Sequence, residues 1–321
     1  MPKKTAKRFK YQTKLALWAL GTIAFLLLLS YLVNLVQNFY SPLSTTADKR
    51  DYLWDKNSNI NLSIKTDRIS ILSYNPIDKK ILIISVPDET YIQVPGGFGT
   101  WSAKSIYGLG ESEENLSGNY LLQKSLASFL AIPVDAFIEF DGDLLGNMRN
   151  PLKYPYLYSK LKTNLTPFEL LNLALGIKSV RFDKVHELDF AQILDEDQLP
   201  DQTKILVADP TKIDAISNKL AESKIISEQL TIGVYNATRY PGLALKAARI
   251  ITNMGGNVIV TANISFQKTS MVQAEEDSFT SRKLGQIFAP NCLQSLKCSI
   301  IDHDFRAAVN VILGEDFYQR Y

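Results

Sequence analysis

Asp67-Arg-Ile-Ser-Ile-Leu-Ser-Tyr-Asn-Pro-Ile-Asp-Lys-Lys-Ile-Leu-Ile-Ile-Ser-Val-Pro87 holds two β-rich runs, 68–75 and 80–87, joined by Asn75, Pro76, Ile77 and Asp78. Aliphatic and β-branched residues at this density, interrupted by Asn-Pro, predict a hairpin whose strands are buried on at least one face. A loop dense in glycine follows, with Gly96, Gly97, Gly99, Gly108 and Gly110. Then Leu121, Leu122, Leu126, Phe129 and Leu130 fall at helical spacing within 117–131, and 132–140 reads as a strand. Strand alternating with helix predicts an α/β sandwich for residues 61–226.

Upstream, Leu15 to Val36 contains no charged residue. A helix over 15–37 matches the roughly 30 Å hydrocarbon core of a bilayer, so a transmembrane helix is expected there. A cleaved secretory signal is the alternative, but Asn34, Gln37, Asn38, Phe39 and Tyr40 stand where small cleavage-site residues belong. Lys3, Lys4, Lys7, Arg8, Lys10 and Lys14 precede the span without one acid, which predicts a cytoplasmic basic tail over 1–14 and an extracytoplasmic bulk. The chain is expected in the cell membrane, single-pass, with 38–60 as a linker. The formal charge is +2, so without its basic tail the remainder is net acidic, which argues against nucleic acid as a partner.

Downstream, Thr166 as cap, Pro167 at the first helical position and Gly176 as stop predict a helix with Phe168, Leu171 and Leu175 in the core. Residues 195–203 read as an exposed acidic loop, 204–210 as a strand and 211–222 as a helix capped by Thr211. A second, small α/β domain is expected over 227–321. Its beginning is a βαβ unit of strand 230–236, helix 242–254 ended by Gly255 and Gly256, and strand 257–263. A third strand over 271–275, a helix from Ser278 to Ala289, and strands over 298–302 and 307–314 complete it.

The sequence is sparing with reactive groups. There is no phosphate-binding Gly-Lys-Ser motif, no Gly-x-Gly-x-x-Gly and no Gly-x-Ser-x-Gly elbow. His186 stands without a second ligand or nucleophile at a useful spacing, and Asp302-His303-Asp304 are adjacent residues that rarely converge on one ion, so no metal site is expected from either. Cys292 and Cys298 are the only cysteines; a disulfide across the membrane and two buried thiols both remain open from sequence. The loop Asn236 to Gly242 lies ahead of a helix N-terminus, where an anion or a glycan carboxylate could sit. Asn236, Thr238, Arg239, Tyr240 and Gly242 are its candidate ligand-binding residues, with Tyr240 able to stack on a sugar; the alternative is that Asn236 and Thr238 only shape the turn.

Several motifs carry a resemblance. Asp67 to Pro76, Lys79 to Pro87, Ser105-Ile-Tyr-Gly-Leu-Gly110 and Leu130 to Phe137 resemble the start of the LytR-CpsA-Psr catalytic domain. Val234-Tyr-Asn-Ala-Thr-Arg-Tyr-Pro-Gly-Leu-Ala244 and Val309 to Asp316 are similar to the C-terminal domain that accompanies many members. The resemblance implies an anchored protein facing the cell wall that moves a polyprenyl-pyrophosphate-linked glycopolymer onto peptidoglycan, with a divalent metal such as magnesium, carboxylates and several arginines. Asp67 matches the family's first aspartate. The family's Pro-Arg-Asp is here Pro87-Asp88-Glu89, and Arg149 and Arg181 stand outside any arginine-rich motif. The expectation is therefore a degenerate core acting as a binding or scaffolding factor in envelope polymer assembly. The alternative is an active phosphotransferase using Asp67 and Glu89 as its carboxylates with magnesium.

Overall fold

A computed structural model describes Trp18, residues 20–34, Gln37, Ser41, Arg50, 52–293 and 305–320. Residues 20–34 are helical with every side chain exposed, while 15–17, 19, 35 and 36 of the expected span lie outside the described residues. Among the described residues, no helix is long and apolar enough to cross a membrane.

The hairpin of 68–87 lies inside a six-stranded mixed sheet of order β7-β6-β1-β2-β3-β8. Strands β1 (Ile60–Lys65), β2 (Ile69–Asn75) and β3 (Lys80–Val86) pair antiparallel in turn. β6 (Ala136–Glu139) runs parallel to β1, β8 (Val185–Asp189) parallel to β3, and the two-residue β7 (Lys162–Thr163) closes the β6 edge. A period of two sends Ile69, Ile71, Leu82, Ile84 and Val86 to one face and Leu62, Leu72, Tyr74 and Ile81 to the other. Each face is covered by helices, the first by Gly118–Leu130 and its neighbours and the second by Pro167–Ser179, so the sandwich has three layers.

Local chemistry accounts for departures from the sequence expectations. Gly96, Gly97 and Gly99 have positive φ and turn a short hairpin, β4 (Tyr91–Val94) with β5 (Gly99–Ser102). Gly108 and Gly110, expected in that loop, instead lie in a helix, Ala103–Glu111. A Cβ on Gly110 would lie 2.7 Å from the Gly118 Cα, so this glycine is required by the close approach of two helices. Gly176 does not end its helix, which runs on to Ser179; Gly176 faces the Tyr74 hydroxyl, where a side chain would collide. The buried face of that helix is Leu170, Leu173, Ala174 and Ile177, whereas Leu171 and Leu175 are exposed and Phe168 is half-buried. The helix is apolar on nearly every side, and so periodicity alone could not select its inner face. Of the acidic 195–203, only 199–203 form a loop, and 195–198 are a hairpin arm. β9 (Asp195–Gln198) pairs with β10 (Lys204–Val207) through backbone bonds that its exposed side chains do not announce. Asp209, not Thr211, caps the next helix, Pro210–Ser217, by accepting from the Thr211 N–H.

The end of the expected linker is built into the fold. Trp54 is buried in the second-face core, and Glu169 accepts from the Arg50 guanidinium, the Trp54 N–H and the Thr166 N–H.

The C-terminal body has a sheet of order β12-β11-β14-β13. β11 (Thr231–Asn236) runs parallel to both β12 (Asn257–Asn263) and β14 (Val309–Leu313), and β13 (Met271–Ala274) is antiparallel to β14. Helix Leu243–Asn253 makes the expected crossover, with Gly242 left-handed before it. Helix Phe279–Phe288 starts in a Ser278/Ser281 capping box, and the Glu228 carboxylate accepts from the Phe279 and Thr280 N–H groups. Ile225, on helix Ser223–Glu228, belongs to this second core. Cys292 is disulfide-bonded, which resolves the two thiol states left open above. The chain's other cysteine, Cys298, lies outside the described residues, as do the expected strand 298–302 and the Asp302-His303-Asp304 group.

Candidate functional site

The register places the chemistry of the larger sheet at one end. β1, β6, β3 and β8 all finish there, at Lys65, Glu139, Val86 and Asp189. The turn carrying Asp67 and Arg68 and the loop carrying Asp88 and Glu89 leave from the same end. Carboxyl ends of parallel strands are the usual place for a ligand in an open α/β sheet.

Glu139 is the hub. Its carboxylate accepts from the Asn119 amide at 2.7 Å, lies 3.3 Å from the Lys65 ammonium and 3.6 Å from that of Lys162, and accepts from the Tyr107 hydroxyl at 3.4 Å. The Lys65 ammonium also sits 4.2 Å over the Tyr107 ring. These groups come from separate elements: β1, the glycine-containing helix, the N-terminal turn of Gly118–Leu130, the end of β6 and the start of β7. Partial burial alone would raise the Glu139 pKa, but the Asn119 hydrogen bond and the two lysines outweigh it and hold the carboxyl below its ordinary value. Tyr107 moves the other way, pushed up to about 12 by burial and then by the negative charges of Glu139 and Glu111. The phenol is thus a committed hydrogen-bond donor. The arrangement holds the Glu139 carboxylate between two ammonium groups, with a neutral phenol and an amide donating to it.

Asp67 and Glu89 are both exposed, on neighbouring turns of this end. Among the described residues, no group of three or more His, Cys, Asp or Glu converges tightly enough to hold a metal by itself. Arg68 shares the end and is exposed. Arg181 lies elsewhere: it precedes β8, whose first residue, Val185, pairs with Ile81 at the opposite end of the sheet. Arg181 is paired with Asp183, and Arg149 joins this region through the Val180 carbonyl and the Phe182 ring. His186, on edge strand β8, is exposed.

In the C-terminal body, the polar groups of loop 236–242 are spent on one another. Buried Asn236 donates to the Tyr240 carbonyl and accepts from the Thr238 N–H and hydroxyl, and the Tyr240 N–H donates to Thr238 Oγ1. Tyr240 is stacked on Tyr318 with ring centroids 3.4 Å apart, so one face of the ring proposed for a sugar is already covered. Arg239 lies over Phe266.

Lys65, Tyr107, Asn119, Glu139 and Lys162 were not singled out by the sequence as site residues. The available signal was weak: a lone acid between Phe137 and Phe140 at the close of an apolar strand, and Lys65 two positions before Asp67. Only the sheet register makes those two neighbours.

Neither a protein-family model nor a curated protein matches the sequence. Among solved structures, the chain is similar to TagV of Bacillus subtilis, at 13% identity over 51% of this chain and 96% of that one, with a TM-score of 0.41. It is similar to B. subtilis TagT at 13% identity, over 56% of this chain and 97% of that one, with a TM-score of 0.41. A third neighbour is the LytR-CPS2A-psr family protein YwtF (TagT) with bound octaprenyl pyrophosphate lipid, at 14% identity over 56% and 95% of the two chains and a TM-score of 0.40.

Proposed function

We propose that this chain is a membrane-anchored, extracytoplasmic factor of bacterial envelope polymer assembly, of the LytR-CpsA-Psr type, that binds a polyprenyl-pyrophosphate-linked glycopolymer without transferring it. The observation that supports binding over transfer is the separation of Arg149 and Arg181 from the sheet end that carries Asp67 and Glu89. A departing pyrophosphate develops negative charge that must be met by cations preorganised around it. At this end Lys65 and Lys162 share one carboxylate, Glu139, so their charge is already half compensated. Such a site suits recognition of an anionic head group better than stabilisation of a leaving group. The neighbour holding octaprenyl pyrophosphate supplies the ligand class to test.

The test is lipid mass spectrometry on the full chain purified from membranes, beside a transfer assay with a polyprenyl-pyrophosphate glycan, peptidoglycan and magnesium. The binding function expects a polyprenyl species that is retained by the parent, depleted in Lys65→Ala with Lys162→Ala, and not transferred. Transfer abolished by Asp67→Ala would establish the phosphotransferase instead. Protection of a tag after Tyr321 from external protease in intact cells would overturn the extracytoplasmic placement.

A further inference from the structure

From Leu144 to Phe168 the chain carries four cations, Arg149, Lys153, Lys160 and Lys162, and no acidic residue. Within it, the turn Pro151–Lys153 and helix Tyr154–Lys160 are pinned from below while presenting apolar groups outward. Leu157 is buried in the second-face core, the Phe140 ring meets Tyr156 edge-on at 6.3 Å, and Asn150 accepts from the Leu152 N–H. The segment is therefore anchored, yet Leu152 is 90% exposed and Tyr156 and Tyr158 are each more than half exposed. Phe182, under the Arg149 guanidinium, is 83% exposed. Helix Pro167–Ser179, which packs on helix Leu144–Arg149, adds the outward Leu171 and Leu175. Two acids beside it are already engaged: Asp143 caps helix Leu144–Arg149 and Asp183 pairs with Arg181.

We infer that this face, built around Leu152, Lys153, Tyr156, Tyr158 and Lys160, docks on an anionic lipid surface. Leucine and phenylalanine offer no hydrogen bonds to a sugar, but they fit the acyl boundary, tyrosines fit the head-group layer, and lysines meet lipid phosphates. A second copy of the chain would bring like charge against like charge. Helix Tyr154–Lys160 ends two residues before Lys162, so the docked face adjoins the Glu139 site and would present that site at the membrane surface. The inference stands on exposure and charge and does not require the function proposed above.

The experiment places an environment-sensitive dye on Leu152→Cys in the full chain, labelled without reductant so that the Cys292 disulfide persists. The control position is Leu245→Cys, on exposed helix surface of the C-terminal body. With vesicles of phosphatidylcholine and phosphatidylglycerol, emission from position 152 shifts to the blue and is quenched by spin-labelled lipid; with phosphatidylcholine alone it does not. Added salt reverses the shift, Lys153→Glu with Lys160→Glu abolishes it, and position 245 stays unchanged. An unshifted probe, or equal shifts at both positions, would overturn the inference. So would a shift produced by a soluble anionic glycopolymer without vesicles, or one that grows with protein concentration in the absence of lipid.

Discussion

The Lys283 ammonium lies 3.9 Å from the Asp135 carboxylate, and the two side chains are nearly wholly buried, one on a helix of the C-terminal body and the other just ahead of β6 in the larger sheet. Around them, Asp135 accepts from the Tyr52 hydroxyl and the Asn61 N–H, Lys283 donates to Ser58 at 3.2 Å, and Glu222 accepts from the Asn59 N–H at 2.6 Å. The two sheets are thus joined by a buried polar network rather than by apolar contact alone. Removing the cation of such a network leaves its acids dry and without a counter-charge, which costs far more than the whole network contributes.

Lys283→Ala is expected to lower unfolding stability by about 3 kcal/mol, because Asp135 and Glu222 lose their buried cation. Urea midpoints of the full chain measure it. A loss no larger than that of an exposed lysine, such as Lys246→Ala, would show that the network does not join the two bodies.

Glu222 gives the same network a pH signature. Burial raises its pKa above the ordinary 4.5, and the nearby charges of Asp135 and Asp55 add to this, against the Asn59 hydrogen bond and Lys283. A raised carboxyl binds its proton more tightly folded than unfolded, so its contribution is full below 4.5 and is lost as pH climbs through the folded value. Glu222→Gln should therefore gain stability relative to the parent at neutral pH, and the gain should vanish in acid. Denaturation midpoints for both proteins across that range decide it; a gap that widens toward acid has the wrong sign.

Tyr107 should remain a phenol well past the point where ordinary tyrosines ionise. The phenolate absorbance of the parent minus that of Tyr107→Phe should titrate at about 12. In a Glu139→Gln background the transition should move down, since one of the charges opposing the phenolate is gone. An ordinary tyrosine titration for this residue in the parent would place it outside the Glu139 site. The contribution to folding is present below 10 and lost as pH rises toward 12.

Gly110→Ala tests the helix crossing. The added methyl would meet the Gly118 backbone at 2.7 Å, with no flexible side chain to yield, so a loss of about 1–3 kcal/mol is expected. Gly108→Ala, whose added carbon would meet nothing within 4 Å, should be neutral or slightly stabilising. Thermal melts of the pair distinguish close packing from helix propensity.

The sequence by itself determined strands β2, β3 and β6 of the larger sheet, strands β11 to β14 of the smaller one, the βαβ unit and the helix starts at Thr166 and Ser278, because period-two burial and capping chemistry are local and leave their mark on consecutive residues; β1, β7 and β8 it did not announce. It could not choose the inner face of a helix apolar on nearly every side, as Leu171 and Leu175 show, nor recognise a hairpin arm made of Asp195 to Gln198. Only the tertiary structure decided the site. Lys65 and Glu139 are 74 residues apart and become partners through the parallel register of β1 and β6, while Arg181, placed before β8, is carried to the far end of the same sheet. Strand direction and register are set by the packing of the entire sheet, and no short stretch of sequence contains them.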